Sequence, residues 1–315
     1  MNIVHSLDVG HFGGITEAIL TIRKFSRHNI DFWGYEGTMA DEMRASEMKI
    51  LTGGPDPWED YSIIVGHGVG GWSYDGTFAH ARSKGLKTIE YIHSNASSQT
   101  RPDLCDAFVG VSPLVDRLNQ HMPNRRVIYG PIDDRFLYGC QRPDADQIGR
   151  LSRLVEDKNP RPFVELAHRF PSEKWTLAGG KIASAETEGY YNMIAASAPP
   201  NLTMVGYVRN FVEFYSHLKL YVYHTRDEAN CMSVNMAMIA GVPVICQYFP
   251  QLVETTGGFC SFCNENQFAD EIDRFLVNPA PFKEKAIAGR EWAVAHAGLK
   301  ATVGVWDDLC DSLVA

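Results

Sequence analysis

The chain has 315 residues, 45% of them hydrophobic and 21% charged, enough to bury two ordinary cores but hardly three. Its net charge of −9 is spread so that neither half is basic, which argues against a surface built for free nucleic acid. Seven scattered cysteines argue against a disulfide framework and favour a reducing compartment, and no window approaches the ~20 apolar residues of a membrane span. Met1 to Asp8 lacks the basic and apolar regions of a signal peptide, so a soluble, cytoplasmic protein is expected.

The chain opens as a short apolar strand, Met1 to Leu7. A Gly-rich loop follows, Asp8-Val-Gly-His-Phe-Gly-Gly-Ile-Thr-Glu, and Ile15 to Phe25 has helical spacing. Strand, Gly-rich loop and helix let backbone N–H groups approach a phosphate, although Gly13-Gly14 alone also reads as a simple turn. Ile30 to Tyr35 predicts the second strand, and residues 35 to 60 a short helix and loops. Tyr61 to Gly66 and Leu86 to Ile92 predict buried strands that place His67 and His93 at their carboxyl ends. Each histidine alone also reads as a hydrogen-bonded core or loop residue. Ala107 to Val111 predicts another strand, with Ser112-Pro113 as N-cap and first residue of a helix. Arg117, His121, Arg125 and Arg126 form a local basic cluster that reads as a solvated helix face.

Residues 139 to 147 are polar and read as a linker. Asp144 and Asp146 form a D-x-D there, but that motif needs to end a strand beside a donor, so a chance match is the better reading. The second half restarts the strand–helix alternation from Ile148. A helix is predicted over Phe163 to Phe170, strands over Trp175 to Ala178 and Asn201 to Val208, and a helix over Phe211 to His217. Leu218 to Tyr223 is an apolar run followed by the acidic Asp227-Glu228, a Met- and Ala-rich helix ending at Ala240, a Gly241 stop and the apolar Val242 to Ile245. That is one crossover of a parallel sheet, which binds ligands beyond the carboxyl ends of its strands. A carboxylate there can accept hydroxyl hydrogen bonds. Cys260 and Cys263 form a lone C-x-x-C, read as buried thiols in a sheet-edge loop rather than a zinc site.

Several of these segments resemble retaining glycosyltransferase family 4, of the GT-B fold. Met236-Ala-Met-Ile-Ala-Gly-Val-Pro-Val244 is similar to the family's Glu-Ala-Met-Ala-x-Gly-x-Pro-Val, and Glu228 falls on the acidic position eight residues earlier. Met236 replaces the family's second Glu, which holds the ribose; Asn235 stands beside it as a substitute donor contact. Ser152-Arg-Leu-Val-Glu-Asp-Lys-Asn159 is similar to the family's Gly-Arg-Leu-x-x-x-Lys-Asn, so Arg153 and Lys158 take the roles of diphosphate cations; Arg150 is a rival whose spacing to Lys158 is too long. Gly206-Tyr-Val-Arg resembles a turn that contacts the nucleobase through its backbone, placing Val208 there, and Gln251 to Gly258 resembles the Pro-Glu-x-Val-x-x-Gly-x-Gly segment. Gly13 and Gly14 resemble the loop that faces the donor phosphates, and His93 the histidine that contacts the donor sugar.

The resemblance implies an α/β GT-B fold, two Rossmann-like domains with parallel sheets facing across a cleft. The expected boundaries are 1–138 for the acceptor-side domain and 139–295 for the nucleotide-sugar domain, with a C-terminal helix over 296–315 crossing back. It implies hexosyl transfer from a nucleotide diphosphate sugar, UDP-sugar favoured, to an acceptor hydroxyl, with retention and without a metal or other cofactor. Glu228, with Asp227, would hold sugar hydroxyls, while Arg153 and Lys158 stabilise the departing diphosphate. Open alternatives are a phage-type glucosyltransferase acting on a hydroxymethylated DNA base, a GT-B sugar-nucleotide epimerase and a non-catalytic nucleotide-sugar binder. The acceptor is a saccharide, a small molecule or a modified base, and the sequence does not choose among them.

Overall fold

The computed structural model describes residues 1–7, 14–34, 43–44, 46–51, 58–68, 73–180 and 185–315. The chain forms two compact units, Met1–Ile132 with His296–Ala315, and Asp133–Ala295. The break falls after Ile132 rather than at 138.

Among the described residues the first unit carries seven strands: β1 (Asn2–Ser6), β2 (Asn29–Trp33), β3 (Ile50–Leu51), β4 (Ile63–Gly68), β5 (Lys87–Ile92), β6 (Ala107–Gly110) and β7 (Arg125–Val127). They form one sheet in the order β3-β2-β1-β4-β5-β6-β7, every pairing parallel. Ile3, Val4, Phe32, Ile63 to Val65, Ile89, Phe108 and Val109 are wholly buried, the continuous apolar signature of a sheet covered on both faces. The Ser112 hydroxyl accepts from Val115 N–H at 3.4 Å and Pro113 opens the helix Pro113–Leu118, as its cap residues predict. The C-terminal helix Leu299–Val314 belongs to this unit. Its Asp307 accepts from the Ser26 hydroxyl at 2.5 Å and from Arg27 N–H at 3.1 Å, pinning it to the turn before β2.

The second unit carries β8 (Gln147–Leu151), β9 (Lys174–Ala178), β10 (Leu202–Gly206), β11 (Leu218–Tyr223), β12 (Val244–Gln247) and β13 (Ser261–Cys263). Their order is β10-β9-β8-β11-β12-β13, again all parallel. Ile148, Phe163, Trp175, Leu177, Leu220, Val222 and Ile245 form its core.

Two expectations change. Residues 139–142 are not a free linker: the N–H groups of Gly139, Gln141 and Arg142 donate to Ile239, Ala240 and Ser216 carbonyls at 2.9 to 3.1 Å, which fixes the segment to the second unit. Asp146 of the D-x-D is held by Lys174 at 2.5 Å. Cys263 ends an edge strand, β13, rather than a loop; the buried Cys260 and Cys263 flank its two other residues. A three-residue strand is too short to show a period of two, and only the partner β12 reveals it.

Candidate functional site

In each sheet the strand order reverses once, between β1 and β4 in the first unit and between β8 and β11 in the second. At such a switch point the loops leaving the two strands diverge to opposite faces and open a crevice at their carboxyl ends, where ligands bind in doubly wound folds. Arg153, Lys158, Asp227 and Glu228 lie on the loops that leave β8 and β11, and Gly14 follows β1.

In the second unit, β8 and β11 pair with Tyr221 opposite Gly149. The Tyr221 hydroxyl donates to Leu151 C=O at 2.9 Å and accepts from Leu151 N–H at 3.1 Å, fastening the exit of β8. After β8 the chain makes a single 3-10 turn, Glu156–Lys158, closed by Asn159 in the left-handed conformation. After β11 it forms a loop to Cys231 and then the helix Met232–Ala240. Gly241 ends that helix with φ 84°, and the N–H groups of Gly241 and Val242 reach back to Met238 and Ala237 carbonyls at 2.9 Å.

The two loops meet in an ion pair. Lys158 Nζ lies 2.8 Å from Glu228 Oε1, with side-chain exposures of 17% and 10%. The same ammonium reaches Asp227 C=O at 3.3 Å, and the Tyr223 hydroxyl also donates to Glu228 Oε1. Arg226 N–H donates to Asp157 C=O at 3.2 Å, and Arg226 pairs with Glu156 at 3.2 Å, adding backbone and surface ties between the loops. Such a site combines a fixed cation for anionic oxygens with a carboxylate for hydroxyls.

Arg153 lies on the same loop as Lys158; its guanidinium is about half-exposed and stands 3.7 Å from Asp157. Arg150, set aside on spacing, is fully buried at the end of β8. It donates to Lys158 C=O and to the Ser152 hydroxyl at 3.3 Å, and lies 5.0 Å over the Tyr223 ring. It therefore supports the loop from beneath, a role visible only once the loop's path is known. Gly179, after β9, lies against that loop: a Cβ there would stand 2.0 Å from Ser152 C=O. Asn235 is buried, its amide nitrogen donating to Asn230 Oδ1 at 3.1 Å, and Met236 is buried as well. Val208 is half-buried in the turn after β10.

In the first unit Gly14 is exposed at the first residue of the helix Gly14–Phe25, after β1; Gly13 lies outside the described residues. His93 follows β5, its N–H donating to Gly68 C=O at 2.9 Å. His93 Nε2 is 2.8 Å from His67 Nδ1, and His67 Nε2 is 2.8 Å from His5 Nδ1, so three histidines form one chain. Burial holds all three far below the ordinary histidine range, His5 and His93 down to about 3. His5, on β1, carried no sequence signal. Of the basic cluster, Arg125 pairs with Asp116 at 3.0 Å and donates to Gln120 C=O at 2.8 Å, so it serves the β7 edge.

The fold, two units each built on a parallel sheet, matches that of GT-B glycosyltransferase structures. More particularly, residues 145–278, from just before β8 through the helix Phe268–Val277, match the family of glycosyl transferases group 1. Solved structures similar over nearly the whole chain include Anabaena HepE in complex with UDP and glucose, at 12% identity and a TM-score of 0.78, covering 99% of this chain and 98% of that one. A glycosyltransferase from Rickettsia africae superposes with a TM-score of 0.79 at 12% identity, covering 99% and 98%. Sucrose-phosphate synthase from Thermosynechococcus elongatus does so with 0.74 at 15% identity, covering 99% and 98%. At these identities the likeness is one of fold. No curated protein matches the chain by sequence. No helix among the described residues is long and apolar enough to cross a membrane.

Proposed function

We propose that the protein transfers a hexose from a nucleotide diphosphate donor, a UDP-sugar in the first instance, to an acceptor hydroxyl, with retention and without a metal ion. The observation that carries the reading is the Lys158–Glu228 pair at the β8/β11 switch point, inside the segment that matches glycosyl transferases group 1. Support for the donor class comes from HepE, a protein of the same fold captured with UDP-glucose.

In this reading Lys158 and Arg153 hold the diphosphate, where negative charge grows as the bond to the sugar's anomeric carbon breaks. Glu228, oriented by Lys158 and Tyr223, accepts from sugar hydroxyls, with Asp227 beside it. Within the second unit Val208 lies against the base and Asn235 serves the ribose, while Gly13, Gly14 and His93 keep the donor-side roles that the family resemblance implies. The anomeric carbon forms its new bond to the acceptor oxygen, and the acceptor's proton leaves on the departing diphosphate. The two cations neutralise the charge that a metal ion neutralises in other transferases.

Thermal unfolding with UDP-, GDP-, ADP- and dTDP-sugars tests this. A donor at about 100 times its dissociation constant adds roughly 2.7 kcal/mol of stability. One nucleotide should stabilise the native protein and not the Arg153→Ala/Lys158→Ala variant; no shift with any of them would overturn the reading. Binding with neither transfer nor hydrolysis would instead leave a nucleotide-sugar binder.

A further inference from the structure

The three-histidine chain has a direction, and the direction is set at its buried end. His5 sits on β1, His67 on β4 and His93 just after β5, so the chain crosses the first sheet's switch point and ends at its carboxyl edge. His5 and His67 are buried and His93 is half-buried. Each N···N contact of 2.8 Å needs one nitrogen with a hydrogen and one without. Two orders satisfy both contacts with neutral rings. Either every Nδ1 carries the hydrogen, or every Nε2 does, and a mixed chain breaks a contact.

The orders differ in what they leave at the two ends. With hydrogens on Nε2, His5 buries an N–H that has no acceptor among the described residues; with hydrogens on Nδ1, it buries a bare lone pair, since His5 Nε2 has no hydrogen-bond partner among them. Besides His67, Trp306 of the C-terminal helix packs against His5, 5.4 Å away between centroids, and its indole nitrogen is also buried without a partner among the described residues. Indole nitrogen only donates. The Nε2–H order would put two orphan donors in one ring contact, and orphan buried N–H groups are rarer than orphan acceptors. The Nδ1–H order puts a donor beside an acceptor. Tyr91, which touches His67, His93 and Trp306, does not interfere, because its hydroxyl is committed to Ile128 C=O at 2.8 Å.

We infer that His5 and His67, backed by Trp306, are positioning residues that lock His93 in the neutral Nδ1–H form, so that His93 presents a hydrogen-bond donor to a ligand oxygen at the carboxyl edge of the first sheet. Burial keeps all three rings neutral, which suits a fixed hydrogen-bond direction. The order does not need proton shuttling, because among the described residues His5 Nε2 has no partner to exchange a proton with at the buried end. That the oxygen belongs to a nucleotide-sugar rests on the glycosyl-transfer reading.

Histidine ring nitrogens in the full-length protein, labelled with nitrogen-15, report the tautomers directly by NMR. The expected spectrum, without ligand, has Nδ1 protonated and Nε2 bare in all three rings, unchanged between about pH 6 and 8. Nε2–H rings, or any of the three titrating near its ordinary value of about 6.5, would overturn the inference. Trp306→Phe removes the indole N–H and keeps a ring; His93 should then become a mixture of tautomers. His5→Phe, which leaves His67 Nε2 without its donor, should do the same should the first variant fold poorly. A His93 that stays wholly Nδ1–H in a folded His5→Phe protein also sinks the relay. Because the pattern is read without ligand, a failure to bind any nucleotide-sugar removes the glycosyl-transfer reading and leaves the relay standing. A reversed pattern with intact donor binding does the opposite.

Discussion

Lys158 Nζ lies 2.8 Å from Glu228 Oε1, and that contact joins the loop after β8 to the loop after β11 at the point where the strand order reverses. Both side chains are mostly buried, so the pair is worth more than an exposed one, and breaking it from one side leaves a charge poorly solvated. Lys158→Ala is expected to weaken donor binding by roughly 10- to 100-fold, the value of about 1.5 to 3 kcal/mol for a hydrogen bond to a charged group. Glu228→Gln keeps the shape and removes the charge. A double-mutant cycle on unfolding free energy should return a coupling of about 1 to 3 kcal/mol, and a coupling near zero would mean the pair organises nothing.

Arg150 makes a second prediction, on stability. Its guanidinium is fully buried, pairs with no carboxylate among the described residues and spends its hydrogen bonds on Lys158 C=O and Ser152. Arg150→Met should cost about 2 to 3 kcal/mol in denaturant unfolding and weaken donor binding as well, because the Lys158 loop loses its support. Arg150→Lys should rescue little, since an ammonium cannot lie flat over Tyr223 and reach both partners. An Arg150→Met protein with unchanged donor affinity would separate Arg150 from the site.

Gly179→Ala tests the other wall of that loop. Gly179 has φ 156°, and an added Cβ would meet the backbone oxygen of Ser152 at 2.0 Å, far inside contact distance. A backbone atom cannot rotate away as a side chain can, so β9 or the loop carrying Arg153 must move. The expected loss is roughly 2 kcal/mol or more, with reduced donor binding, read by denaturant unfolding and by ligand-induced thermal shift.

The sequence made some of this legible and hid the rest for physical reasons. The β11–loop–helix–β12 segment reads directly because its signals are local: an apolar run, acidic residues, and a glycine where only a left-handed residue closes the helix. Arg150 and Tyr223 were not legible as site residues because an in-strand side chain declares its face only when the neighbouring strand is known. The His5–His67 contact joins residues 62 apart in sequence, and nothing in either short strand announces its partner. Even the His93 position gave only the end of the chain.

Chelation bears on the chemistry. If Lys158 and Arg153 supply the cationic charge, transfer from a UDP-sugar should proceed undiminished in excess EDTA. Activity lost on chelation and restored by a divalent cation would remove the metal-independent part of the proposal.

Acid should undo the two units unequally. Among the described residues, four histidines have pKa values held below the unfolded value of 6.5: His5, His67 and His93 in the first unit, and His224 in the second. Burial is the largest cause in each. Below pH 6.5 the unfolded chain therefore takes up protons that the fold refuses. The stability these rings contribute is complete above that pH and is lost as pH falls from 6.5 toward about 3, by up to about 1.4 kcal/mol per pH unit for each ring. Glu90, buried beneath Ser98 and Thr100, is shifted upward and has the opposite sign: its share is present at low pH and lost as pH rises through its folded value, so it offsets the first unit's loss only in acid. With three such rings against one, the first unit should lose hydrogen-exchange protection at a higher pH than the second. His5→Phe should flatten the pH slope of the first unit, and His224→Phe only that of the second. Equal acid sensitivity of the two units would show that at least one of the three linked rings is charged in the fold.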